Sequence, residues 1–315
     1  MIAYLQRRLF QALIVFVIVN TITFVLIRVA PGLPEIMTGN LLTNQDRALF
    51  RHNLGLDKPV QVQYLIWWSH IVRGDFGTSW TEHSPVLQVL VSRLPNTLIL
   101  ASVAMLLSVV IGIMAGIISA TRPYSVLDYT VTSLSLVGLS VPSFWLGLML
   151  ILGLSVHWHI FPSSGMYTIG ADPSVGDRLR HLVLPAFVLS AGTLAQLTRF
   201  TRSSLLEVLG FDYIRTARAK GIRESVVLQR HALKNAIIPV ITIIGLQIPR
   251  FIGGSIIVES IFAWPGIGRL AYSSAITRDY PMIMGITVMI SMVVLIVNIG
   301  TDLVYSFVNP RIRFE

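Results

Sequence analysis

Apolar residues along the chain gather into six long runs divided by polar segments, and each run approaches the roughly 20 residues that a helix needs to cross the hydrocarbon layer of a bilayer. The runs extend approximately over residues 9–30, 97–120, 129–156, 182–199, 236–262 and 282–308. This pattern predicts an all-α integral membrane protein with six transmembrane helices. Met1 to Arg8 followed by an apolar stretch has the look of a secretory signal, but the stretch is too long for a signal core and no small-x-small site follows it. A retained first span is expected. With six spans, both termini lie on one side.

The polar positions orient the spans. Arg7 and Arg8, Arg122, and Arg311 and Arg313 fall on the side shared by the termini, together with a loop holding Arg202, Arg215, Arg218, Lys220, Arg223, Arg230 and Lys234. Only Glu207, Asp212 and Glu224 offset that loop. The short loops of the other side carry chiefly Arg178, Arg180, Arg269 and Arg278. Excess Lys and Arg marks the cytoplasmic side, so both termini are expected there.

Residues 31–95 then form an extracytoplasmic domain between spans one and two. Pro59 after Asp57 suits a helix start, and Val60, Tyr64, Trp67, Trp68 and Ile71 fall on one face of the helix that follows. Such a helix suits the membrane interface, or the mouth of a pathway. The remaining divisions are residues 1–30 with the first span, the transmembrane domain 96–308 holding spans two to six with a cytoplasmic loop near 200–235, and a tail at 309–315.

Composition sharpens the class. Hydrophobic residues make up 54% of the 315 and charged residues 12%, with mean hydropathy +0.72, too few charges to coat a soluble core of this size. The net charge of +9 would suggest nucleic acid in a soluble protein, but no basic stretch is interleaved with stacking aromatics. With no cysteine, disulfides and thiolate chemistry are excluded. There is no G-x-x-x-x-G-K-[ST] loop, no G-x-S-x-G and no H-E-x-x-H, so the chain has neither a nucleotide cradle nor a hydrolase set.

In the basic loop, Asp212-Tyr213-Ile214-Arg215-Thr216-Ala217-Arg218-Ala219-Lys220-Gly221 reads as a separate helix of about two turns, near 12 Å long. Asp212 is expected to accept from the first-turn amides, Arg218 and Lys220 to sit at the negative end of the dipole, and Gly221 to stop the helix in the left-handed region. So short a helix needs packing to hold it. Either a partner protein supplies that packing or the segment is a solvated basic connector against anionic lipid.

This segment, with His231-Ala232-Leu233-Lys234-Asn235 and Pro239 after it, resembles the coupling-helix motif of ABC importer permeases of the dipeptide, oligopeptide and nickel group. The resemblance runs along nearly the whole chain: Leu54-Gly55-Leu56-Asp57-Lys58-Pro59 with Tyr64, Gly74-Asp75-Phe76-Gly77, Arg93-Leu94-Pro95-Asn96-Thr97, Val141-Pro142-Ser143-Phe144-Trp145 and Trp264-Pro265-Gly266-Ile267-Gly268. It departs from the wider importer pattern at Arg215, which stands where that pattern has glutamate. The resemblance implies the type I importer permease fold, a loop helix docking on a cytoplasmic ATPase subunit, a second homologous permease and an extracytoplasmic substrate-binding protein. It also implies that ATP and magnesium are bound by the partner ATPase and that this chain carries no cofactor or enzymatic activity of its own. Di- or oligopeptides are the expected cargo, with nickel, glutathione or another small solute as alternatives.

Inside the fifth run, Arg250 follows Pro249 near mid-membrane, where a charge is costly unless it faces protein, water or a counter-charge. Arg250, Gln247 and Glu259 are candidate pathway-lining residues; a structural pairing of Arg250 with Glu259 or Asp302 is the other reading. Arg199 is expected to snorkel from the end of span four. His157 and His159 make an H-x-H pair without a third ligand, so no metal site is expected. A gradient-driven carrier is the runner-up and lacks the internal repeat usual in that class; a membrane scaffold would not need Pro249 and Arg250 inside a span.

Overall fold

The computed structural model describes residues 2–29, 45, 49, 52, 57–170, 172 and 174–308. Most of residues 31–56, including Leu54-Gly55-Leu56, and the tail with Arg311 and Arg313 lie outside the described residues, as does the side chain of Asp302. The described chain is helical: α1 (Ile2–Val29), α2 (Val60–Val72), α3 (Val86–Thr121), α4 (Val126–Ser140), α5 (Ser143–Leu150), α6 (Val175–Leu209), α7 (Asp212–Ala219), α8 (Leu233–Ile261), α9 (Ile267–Thr277) and α10 (Tyr280–Val308). Wider π-type turns extend α5 over Ile151–His157 and lead into α8 over Val227–Ala232.

Five stretches are long and apolar enough to cross a membrane, and a sixth exists if α4 and the α5 segment are taken as one bent span. That third span departs from expectation. The sequence suggested one continuous run over 129–156, whereas the helix stops at Ser140, resumes at Ser143 and turns by 107° between. The cause is local: Pro142 forces the residue before it out of the helical region, and Val141 accordingly sits extended at φ −79°, ψ 123°. Pro95, Pro185, Pro239 and Pro249 lie within α3, α6 and α8, which continue through them.

The chain divides into two compact units. The first comprises Met1–Thr97 and Pro265–Ile296. Here α2 lays Tyr64 and Trp67 on the buried Phe24 of α1, at 5.2 and 5.9 Å between ring centroids, and Trp68 on Phe16 at 6.1 Å. The face foreseen from the sequence is therefore formed, except that Val60, at the first helical position, is exposed. Val86, Leu90, Ile267, Leu270, Met282 and Ile286 make the apolar centre of this unit. Its polar centre is the fully buried Asp279, which accepts from the Ser79 hydroxyl (2.5 Å), the Thr81 amide and hydroxyl (3.1 and 2.8 Å) and, as the N-cap of α10, the Met282 amide (3.1 Å). The Arg93–Thr97 and Trp264–Gly268 signatures meet here as well. Asn96 donates to the Pro265 carbonyl at 2.9 Å, and Thr97 accepts from the Ile267 amide at 2.8 Å.

The second unit comprises Leu98–Trp264 and Val297–Glu315, and α6 is its centre. Helices in lipid gain little from apolar burial against one another, so close contact through small residues matters more. Gly112 and Gly116 of α3, spaced four apart, face α6 so closely that a Cβ at Gly116 would stand 2.6 Å from Thr201 Cβ and 2.7 Å from the Thr198 carbonyl oxygen. Polar side chains join the helices where backbones approach: Ser108 donates to the Ser190 carbonyl, and Ser204 of α6 to the Ala236 carbonyl of α8.

Replacing Gly116 by leucine is expected to lower the thermal midpoint of the purified chain, equivalent to a loss of about 1–3 kcal/mol from overpacking. Gly253→Ala, where an added Cβ meets nothing within 4 Å, should leave the midpoint unchanged or slightly raised. Melting both variants in one mild detergent checks this.

Candidate functional site

The α7 segment forms as a discrete helix of eight residues, with two corrections to its ends. Phe211, not Asp212, takes the N-cap position and caps with no side chain; Asp212 lies in the first helical turn, and its carboxylate reaches Arg215 at 3.5 Å. The helix ends at Ala219 with Lys220 as C-cap, and Gly221 has φ +70°, the left-handed stop expected of it. Arg218 forks onto the Glu224 carboxylate with contacts of 3.0 and 2.6 Å, which closes the turn after the helix. That hydrogen-bonded pairing raises the Arg218 guanidinium further above its ordinary pKa.

A third correction concerns what holds this short helix. Its own spans do. Ile214 is fully buried and Ala217 nearly so, in an apolar cluster with Ala120 of α3, Leu205 and Val208 of α6, Val227, Ala232 and Ala236. Burying Ile214 alone contributes about 1.5–3 kcal/mol. Tyr213 adds a tie to α8, its hydroxyl accepting from Asn235 Nδ2 at 2.9 Å. Opposite this anchored face, Asp212, Arg215, Thr216 and Ala219 are exposed.

One helical turn above the cluster lies an arrangement that sequence reading missed. Asp128, at the start of α4 and 3% exposed, receives both Arg202 Nε (2.6 Å) and Nη2 (2.8 Å), together with the Ser119 hydroxyl and the Tyr124 amide (2.9 Å). The bidentate pair fastens the α3–α4 turn to α6. Arg202 had been read only as one loop charge; the available signal was Asp128 itself, an acid standing directly before an apolar run.

Further along α6, two adjoining cavities of about 610 and 340 Å³ share Gln196 and Leu139. The larger is lined by Thr132, Ser135, Arg199 and Arg202 among others, the smaller by Ser143, Thr193 and Arg250 among others. Arg250 is exposed to the cavity and makes no ion pair among the described residues. Gln247 is buried and donates to Gln196 Oε1 at 2.9 Å, so it positions a lining residue. Glu259 is fully buried and stands outside both cavity walls. Arg199, expected at the end of its span, is ten residues short of the end of α6 and faces the larger cavity instead. Thr193 and Gln196 were not foreseen, because alternating polar residues on a buried helix do not reveal which face is hollow. Among the described residues no three potential metal ligands converge, at His157 and His159 or elsewhere.

An apolar helical body, a short basic helix rooted in it and a polar trough beside its central helix define a membrane transport component. The chain belongs to the family of binding-protein-dependent transport system inner membrane components, whose model matches residues 112–314, with the family's N-terminal model matching residues 1–101. It is thus a multi-pass inner-membrane protein of a transport system that depends on a binding protein. Similar proteins include the oligopeptide transport system permease protein AppB of Bacillus subtilis (strain 168), 47% identical over 316 residues covering all of both chains. The dipeptide transport system permease protein DppB of Escherichia coli (strain K12) is 39% identical over 338 residues, again covering all of both. Among solved structures, inward-facing MetNI methionine ABC transporter is similar at TM-score 0.55 and 20% identity over 71% of this chain and 97% of that one. An amino acid ABC transporter with histidines is similar at TM-score 0.51 and 16% identity over 72% and 95%. The fold is that of type I ABC importer permeases.

Substituting Asp128 by asparagine strands Arg202 beside an uncharged partner and is expected to cost about 3–5 kcal/mol, the range for breaking a buried pair. Asp128→Leu combined with Arg202→Met should recover most of that loss. Denaturation midpoints of the two variants against the parent check the pairing.

Proposed function

We propose that this chain forms half of the translocation pathway of an ATP-driven peptide importer, and that α7 couples it to a cytoplasmic ATPase subunit. The observation that carries this reading is the division of α7 into two faces. Its inner face is rooted in α3, α6 and α8, while Asp212, Arg215, Thr216 and Ala219 point outward and are left exposed by the described residues. A push or pull on the outer face reaches three spans together, and the Asp128–Arg202 clamp carries it on to α4. A solvated connector would not require this rooting. In the proposed orientation α7 and both termini are cytoplasmic, following the excess of arginine and lysine there.

The trough beside α6 is the proposed path. A peptide carries a terminal carboxylate and many amide groups, and Arg199, Arg250, Gln196, Thr193 and Ser135 supply cationic and neutral donors in one line of cavities. Relatives at 47% and 39% identity over full length are named for oligopeptide and dipeptide transport, which supports peptides as cargo. A second permease would close the open side, an external binding protein would deliver the peptide, and nucleotide binding by the ATPase would move α7. Alternating access then follows from small rotations of packed helices about the trough.

Arg215→Glu with Ala219→Trp on the outer face should leave the melting midpoint unchanged, abolish co-purification of an ATPase subunit and lower peptide uptake at least tenfold. Ile214→Asp should instead lower the midpoint. Retained ATPase and uptake in the outer-face variant would remove the coupling role. Arg250→Gln is expected to raise the apparent KM for uptake of a free dipeptide several-fold while sparing that for its C-terminal amide; equal effects on both would take Arg250 out of the path.

A further inference from the structure

A cavity of about 560 Å³ in the first unit has no part in the transport reading. It is walled chiefly by Phe24 and Arg28 of α1, Trp67 of α2, Asp75, Trp80, and Tyr280 of α10. We propose that it holds the headgroup of an amine-bearing phospholipid, with Arg28 on the phosphate and Asp75 and the aromatic rings on the ammonium.

Three observations lead there. The first is an unsatisfied cation: Arg28 Nε is buried and has no hydrogen-bond partner, and the described contacts of its guanidinium are with ring faces, 5.1 Å from the Phe24 centroid and 5.9 Å from that of Tyr280. A buried charged donor left unpaired is costly, so an anionic acceptor suits it. The second is depth. From Gln6 to Arg28 the helix rises about 33 Å, one hydrocarbon thickness, so with Arg7 and Arg8 among the headgroups of one leaflet Arg28 reaches those of the other. Phosphate groups are concentrated at that level. The third is the carboxylate that lines the same cavity. Asp75 keeps its charge, held below the ordinary carboxylate range by hydrogen bonds from the Gly77 amide (2.9 Å) and His70 (2.8 Å). It is exposed and retains open lone pairs for an ammonium, and the Trp80 ring, 5.3 Å from that of Tyr280, lines the same cavity and can attract such a cation. A cation and an anion lining one cavity match a zwitterion better than a singly anionic headgroup. The lipid-facing surface of α1, exposed over Leu13, Val17, Ile22 and Leu26, leaves room for acyl chains alongside.

The test is lipid retention by the full chain, solubilised gently, delipidated and re-exposed to phosphatidylethanolamine, phosphatidylglycerol or a phosphate-free diacylglycerol glycolipid, and read by native mass spectrometry. Phosphatidylethanolamine should be retained on the parent chain and bind at least tenfold more weakly to Arg28→Gln, with Arg28→Lys recovering most of the loss. Asp75→Asn should erase the preference over phosphatidylglycerol. Equal retention by Arg28→Gln, or equal retention of the glycolipid, would overturn the proposal. Displacement of the lipid by inorganic phosphate would make this a free-anion site, and displacement by a dipeptide a substrate site; either outcome overturns the lipid assignment. Should Arg28→Gln fail to fold, tryptophan quenching of the parent chain by brominated phosphatidylethanolamine against brominated phosphatidylglycerol decides it. Stronger quenching by the amine lipid is expected, and equal quenching overturns the idea.

Discussion

A bilayer interior offers no hydrogen-bond partner, and most of this structure follows from having to supply every partner internally. Helices satisfy the backbone. Several polar side chains that enter the apolar layers are met on the spot, as when Asp128 draws in Arg202, Ser119 and the Tyr124 amide, or when Gln247 Nε2 donates to Gln196, whereas Gln247 Oε1 and the Thr201 hydroxyl are buried without a partner among the described residues. The same constraint explains the glycines of α3. With lipid as apolar as any neighbouring helix, close backbone approach through Gly112 and Gly116 replaces the large-residue interlocking of a soluble core.

From this follows the mechanical character of the second unit. The apolar cluster beneath α7 joins α3, α6 and α8, and the Asp128–Arg202 pair adds α4 one turn away. Any displacement of α7 would meet a joint made of buried side chains and a forked ion pair, both of which resist deformation. The polar trough runs beside α6, the same helix that carries Leu205, Arg202, Arg199, Gln196 and Thr193 in succession from the joint inward. One helix thus presents both the root of α7 and the proposed path.

Much of this was legible in the residues. Run lengths fixed the spans to within a few positions except where a helix outlasts its apolar part, as α3 and α6 do. The α7 segment could be recognised from Asp212 to Gly221, and the face of α2 from Tyr64, Trp67 and Trp68. What stayed hidden were relations between distant residues. Hydropathy sees Val141-Pro142 as two apolar residues in a run, although the proline's ring breaks it by 107°. Asp128 and Arg202 lie 74 positions apart, and nothing local announces their pairing. The packing of α7 on its own chain was unreadable for the same reason, since Ala120 and Leu205 belong to apolar runs whose facing is set only in three dimensions.

The bend at Val141 has a consequence for permeability. Non-helical backbone at membrane depth persists only where protein or water satisfies it, and Val141 and Ser143 lie on the wall of the smaller cavity. Water filling that cavity would reach the backbone at the bend, which would then stand beside an aqueous inlet. A cell that stores energy as an ion gradient cannot leave such an inlet continuous with the far side, since protons follow water. The seal would then have to come from elsewhere, and its failure would be felt as a leak of the gradient before any cargo went astray.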